Sequence, residues 1–131
     1  MVVTALTGDL IDAGRRLVLA LDHRQLAPSA AFWFYTSESL DWTLWIAHKD
    51  VASKGPRWFY REVRKAILEP DLALRGLSLD SISVVEAKHP LVSLMLVAVA
   101  TGPGIHSIRF QNNVINGTVI ENAYIYRLTR A

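Results

Sequence analysis

The sequence contains no cysteine, which excludes a disulfide scaffold, a thiolate zinc site and a cysteine nucleophile together. It has no GxSxG elbow, no GxGxxG turn and no Walker loop, the short motifs that mark an acyl-transfer serine or a phosphate cradle. The histidines, His23, His48, His89 and His106, show no i, i+4 pair and no HxH spacing, so a metal site would need ligands from distant segments. His48 with Asp50 and Lys88 with His89 are the nearest approaches to acid–base pairs, and neither has a nucleophile motif beside it. No catalytic residue and no cofactor is assigned.

Long apolar runs are also missing. Leu91 to Ala100, broken by Ser93, is about half the roughly 20 residues that a membrane span needs. Met1 to Asp9 lacks a basic region and reaches an acid before an apolar run forms, unlike a secretory signal. No membrane association is expected, and the cytoplasm is the expected compartment. Charge is scarce too: 14 Lys and Arg against 12 Asp and Glu give a net +2. Nucleic-acid binders usually carry more, so any such reading must rest on clustering.

What is present reads as one α+β domain over residues 1–131. A content of 51% hydrophobic and 20% charged residues suits an ordinary core and excludes a disordered tail. From Asp9 to Asp22, Leu10, Ala13, Gly14, Leu17, Val18 and Leu21 fall on one arc at ~100° per residue, with Asp12, Arg15 and Arg16 opposite, predicting a helix capped by Thr7 or Asp9. Aromatic runs at 30–35 and 42–47 predict a hairpin covered on both sides. A second helix is expected from Ser53 to about Leu68, stopping before Pro70, and a third strand over 81–86. Residues 90–100 are apolar nearly all round and read as a buried helix, although their valines also suit a strand. Asn116-Gly117, flanked by Asn113-Val114-Ile115 and Thr118-Val119-Ile120, is a type I′ hairpin signature. The expected order is α-β-β-α-β-α-β-β, a mixed or antiparallel sheet of about five strands with three helices.

The stretch Ile108-Arg109-Phe110, Asn113, Ile115-Asn116-Gly117, Ile120-Glu121 and Ala123-Tyr124-Ile125-Tyr126-Arg127 resembles a group of small uncharacterised bacterial proteins. They share a TGPGI turn, here Thr101 to Ile105, and an aromatic hairpin like that at 31–46. The resemblance covers most of the chain, implies no activity and supports a single domain.

Two surfaces stand out as binding candidates. On the second helix Arg57, Arg61, Arg64 and Lys65 share about a quarter-turn, extended by Lys54 and bordered by Trp58, while Phe59, Tyr60, Val63, Ala66 and Ile67 take the other side. Such a stripe suits phosphates or an acidic partner, and an ordinary solvated face looks the same. Counting outward from Asn116-Gly117 pairs Ile115 with Thr118, Asn113 with Ile120, Gln111 with Asn122, Arg109 with Tyr124 and Ser107 with Tyr126 on one face. Val114–Val119, Phe110–Ala123 and Ile108–Ile125 take the other, which reads as core. Arg109, Gln111, Asn113, Asn122, Tyr124 and Tyr126 thus form a polar, aromatic platform fit for a protein interface or for stacking bases.

The surplus apolar surface of residues 91–100 points to a homodimer or another protein partner. The expected function is therefore a non-catalytic binding or accessory protein acting through protein contacts. Nucleic-acid binding through the same two surfaces is the second reading. The third is a metal-dependent nuclease, since Asp80 with Glu86-Ala87-Lys88 resembles the Asp…ExK motif of restriction-type nucleases. If one strand separates them, Asp80 and Glu86 stand about 20 Å apart and cannot share an ion. No well-placed alternative acid appears just upstream except Asp71.

Overall fold

The computed structural model describes residues 3–68 and 77–130. In chain order these form α1 (Gly8–His23), β1 (Ala30–Thr36), β2 (Asp41–His48), α2 (Val51–Lys54), α3 (Pro56–Ile67), a 3-10 turn (Leu79–Ser81), β3 (Ile82–Glu86), α4 (Pro90–Ala98), β4 (Ile108–Ile115) and β5 (Thr118–Leu128). The strands make one mixed sheet in the order β3-β2-β1-β5-β4. Among the described strands only β2 and β3 are parallel neighbours, and the crossover between them carries α2 and α3. The fold is α+β, as the alternation of periodicities predicts.

Local chemistry explains most of the boundaries. The Thr7 hydroxyl accepts the Leu10 backbone N–H at 3.2 Å and starts α1. The expected helix from Ser53 is two pieces, because Gly55 at φ +88° breaks it and Pro56 restarts it as the first residue of α3. The expected stop before Pro70 lies outside the described residues, but α3 does end at Ile67, with Leu68 as its cap. Asn116 and Gly117 adopt φ +49° and +80°, the two left-handed positions a type I′ turn requires.

The sheet is covered unevenly. On one face, α1 and α3 pack over Trp33, Leu44, Ile46, Ile82, Val84 and Tyr126. On the other, α4 is the one helix among the described residues that packs over Phe32, Ile120, Ala123 and Ile125. The β1–β2 hairpin is buried on both sides near Ala30 and His48, while its turn end and Trp45 stay half-exposed.

The expectation of a buried 90–100 helix needs correction. In α4 only Val92 and Met95 are buried, and Val97 is 62% exposed. One short helix on a five-stranded face has neighbours on one side only.

Candidate functional site

The basic stripe exists as expected. Arg57, Arg61, Arg64 and Lys65 are all exposed on α3, while Phe59, Val63 and Ala66 are buried beneath them. Tyr60 does face the sheet: its hydroxyl donates to the Ile82 carbonyl at 3.3 Å and accepts the Val84 N–H at 3.0 Å. These are backbone groups of an outermost strand, so Tyr60 closes that edge of the sheet. Lys65 pairs with Glu62 at 3.3 Å, and the Lys54 ammonium sits 4.6 Å from the Trp58 ring centre. Arg57, Arg61 and Arg64 take part in no ion pair among the described residues.

The hairpin platform is only partly assembled. The predicted register holds from Ile108↔Ile125 to Ile115↔Thr118, but the faces do not. Ile115 and Ile120 are buried, whereas Val114 and Val119, expected in the core, are 67% and 59% exposed. The cause lies at Asn112, whose φ of +48° turns β4 where the ladder omits a pair between Asn112 and Glu121. Both strands change face there without a change of register. Asn113 thereby shares the face of buried Ile120 instead of that of Gln111.

Tyr126 leaves the platform for a different reason. It is 1% exposed beneath α1, where its hydroxyl donates to the Ile11 carbonyl at 2.6 Å and accepts the Trp33 indole N–H at 2.9 Å. Burial pushes its phenol well above the usual value of 10. Ser107, expected opposite it, instead hydrogen-bonds the Tyr124 hydroxyl. What remains is Arg109, Gln111, Asn122 and Tyr124, with the Arg109 Nε–H donating to Asn122 Oδ1 at 2.9 Å.

This remnant and the basic stripe lie on the same face of the sheet, on opposite flanks of α1. Between them, α1 presents an ion-paired cluster. Arg15 and Arg16 each reach Asp12 at 2.8 Å, and the hydrogen bond from Arg15, with that from Arg16, holds its carboxyl below the usual range. The two arginines share one carboxylate, so this cluster keeps a single positive charge between α3 and the hairpin.

The acid–base candidates resolve as structural groups. His48 is buried, stacked on Phe59 at 4.9 Å with Trp58 edge-on at 5.7 Å. Its Nδ1 accepts the Asp50 backbone N–H at 3.0 Å, so it is not paired with the carboxylate. Burial lowers its pKa from 6.5, Lys49 and Lys54 add to the shift, and Asp50 opposes it. The unfolded chain therefore binds a proton that the fold excludes, and stability rises with pH between the two values. We expect stability to be full above pH 6.5 and to fall as pH drops through the lowered folded value. Denaturation at a series of pH values should show a flatter profile for His48→Gln, and an unchanged profile would contradict this. His89 caps α4 through Nδ1, which accepts the Leu91 N–H at 3.1 Å, and its ring lies 5.0 Å from Trp45.

The nuclease pattern does not converge. Asp80 sits in the turn before β3 and Glu86 ends the strand, as the spacing implied. Asp71 lies outside the described residues. No group of three or more His, Cys, Asp or Glu among the described residues is placed to hold a metal ion.

A cleft that the motif search missed opens at the other end of β3. Its volume is about 630 Å³, and Lys49, Ala52, Glu86, Ala87, Lys88, Ser93, Leu96 and Arg130 line it. A neighbouring hollow of about 240 Å³ shares Lys49 and is walled by Pro28, Ser29, Pro103, Arg127 and Thr129. Sequence reasoning paired Glu86 with Lys88 but had no means of adding Lys49 or Arg130, which the sheet order brings there. No helix of the described residues is long and apolar enough to cross a membrane. The chain matches no family model, no curated protein and no solved structure.

Proposed function

We propose that this is a cytoplasmic, non-catalytic binding protein that acts through protein–protein contacts, the first of them with a second copy of itself. The contrast between the two edges of the sheet carries this reading. The β3 edge is closed by the Tyr60 hydroxyl, whereas β4 is outermost on the other side, eight residues long, with no proline. Open edges of that kind invite another strand, and β4 is guarded only by one charge, Arg109, near its start and by the break at Asn112, beside which Asn113 Nδ2 donates to the Gln111 carbonyl at 2.8 Å.

The surface beside the edge fits the same partner. Helix α4 packs on β4 and β5, and Leu91, Leu94 and Val97 remain partly or largely exposed on it. No charged residue occurs from Pro90 to Ile105. A partner of unlike chemistry would call for matching charges, whereas a copy of this surface calls for none. Antiparallel pairing of β4 with the partner's β4 continues the ladder and brings the two α4 helices side by side about a two-fold axis.

Light scattering at about 50 µM tests this. The expected mass is near twice 14.6 kDa for the unmodified chain and 14.6 kDa for Val97→Glu. Because Val97 is 62% exposed, that substitution leaves the fold intact but sets two carboxylates against each other across the axis. An unmodified chain that scatters as a monomer overturns the reading.

Nucleic-acid binding is the second reading, supported by Arg57, Arg61 and Arg64, which are exposed and form no ion pair among the described residues. It requires binding that weakens steeply with salt and that Arg61→Glu reduces.

A further inference from the structure

Strands β2, β3 and β5 run in one direction, so their carboxyl ends lie together at one end of the sheet. The chain leaves β2 toward α2 and α3 on one face and leaves the adjacent β3 toward α4 on the other. Adjacent parallel strands whose connections part in this way leave a crevice beyond their ends, where open α/β sheets place their ligands. The 630 Å³ cleft is that crevice: Lys49 follows β2, Glu86 ends β3 with Ala87 and Lys88 after it, Ser93 and Leu96 come from α4, and Arg130 follows β5.

Charge points to the kind of ligand. Lys49, Lys88 and Arg130 lie within ion-pair distance of no carboxylate among the described residues, Glu86 included. Arg127, in the adjoining hollow, is different: four of its N–H bonds already go to Asp22, Pro28 and Gly104, so it is not available to an anion. Three cations without an ion pair among the described residues, against the one lining carboxylate, leave the lining doubly positive, while Ala52, Ala87 and Leu96 give it an apolar part. Its volume falls in the range of small-molecule sites, roughly 300–1,000 Å³.

From this we infer that the cleft is a binding site for a small phosphomonoester, a dianion with an organic body. The phosphate lies among Lys49, Lys88 and Arg130, the apolar part of the molecule rests on Leu96 and the alanines, and Glu86 accepts from a hydroxyl or ammonium group of the ligand. The site takes Ser93 and Leu96 from α4 but no residue from β4, the edge proposed to pair.

Calorimetric titration with inorganic phosphate, phenyl phosphate and a short single-stranded oligonucleotide tests it. Phenyl phosphate is expected to bind more tightly than inorganic phosphate. Lys88→Gln and Lys49→Gln should each weaken it at least tenfold, and Arg61→Gln on α3 should leave it unchanged. Both lysines of the cleft are exposed, so neither substitution threatens the fold. No heat with phenyl phosphate at about 5 mM, or binding indifferent to Lys88→Gln, overturns the proposal. So does an oligonucleotide that binds more tightly than phenyl phosphate and depends on the same lysines, since the cleft then serves a polymer backbone.

Discussion

Gly14→Ala is expected to destabilise the protein by about 3 kcal/mol, at the upper end of ordinary overpacking. A methyl group there would stand 2.3 Å from the Tyr126 hydroxyl oxygen, 2.9 Å from its ring carbon and 3.0 Å from the Trp33 indole nitrogen. The hydroxyl cannot step aside, because it is held between the Ile11 carbonyl and the Trp33 N–H. Helix propensity works the other way, since alanine is worth about 1 kcal/mol over glycine within a helix. The clash is the larger effect: α1 must lift from the sheet or Tyr126 must give up both hydrogen bonds.

A second substitution separates this from a general weakness of α1. Tyr126→Phe removes the oxygen, at a cost of about 1–3 kcal/mol for the unmet indole donor. In that background Gly14→Ala should cost at least 1 kcal/mol less than it does alone, the coupling expected of residues in contact. Denaturant unfolding of the four proteins reads it. A Gly14→Ala protein as stable as the original refutes the close approach.

How far the sequence carries depends on whether a feature is local. The Asn116-Gly117 turn was legible because two consecutive positive φ values demand those residues. The α1 face was legible because Leu10, Ala13, Gly14, Leu17, Val18 and Leu21 repeat with the helical period, and all are buried. The face change in the terminal hairpin was not. Alternation is counted on the assumption of an unbroken pleat, and a left-handed Asn112 leaves the apolar pattern on either side intact. Two adjacent asparagines, Asn112 and Asn113, were the available sign.

The two candidate surfaces follow the same division. The α3 stripe is a property of one helix and survives intact. The Tyr124–Tyr126 pair looked like one exposed ladder, but what covers a sheet face is decided by a helix over 100 residues away, and α1 reaches Tyr126 while leaving Tyr124 half-exposed. The basic cleft was beyond reach for a related reason. Lys49, Lys88 and Arg130 meet only because β3 is parallel to β2 and β5 shares their direction, and no local pattern states which strands are neighbours.

Asp22→Ala is the other substitution of large expected effect, a loss of about 3–5 kcal/mol. Arg127 is 4% exposed within β5, between buried Tyr126 and Leu128, a place where a cation survives only if its hydrogen bonds are met. The Asp22 carboxylate meets it end-on, with Oδ1 at 2.9 Å from Nη1 and Oδ2 at 2.8 Å from Nη2. The Pro28 and Gly104 carbonyls accept two further N–H bonds, each at 3.1 Å. One guanidinium thereby joins the last turn of α1, the loop before β1, the turn before β4 and the strand itself. Removing Asp22 leaves the positive charge buried with only neutral acceptors, which is costlier than never having had the pair. Replacing both residues, Asp22→Leu with Arg127→Met, should therefore lose less than Asp22→Ala alone, because no charge is then stranded. Chemical denaturation of the two variants decides it: if the double replacement is the less stable, the pair contributes through the attachments of Arg127 to the backbone, and charge burial is not what sets its worth.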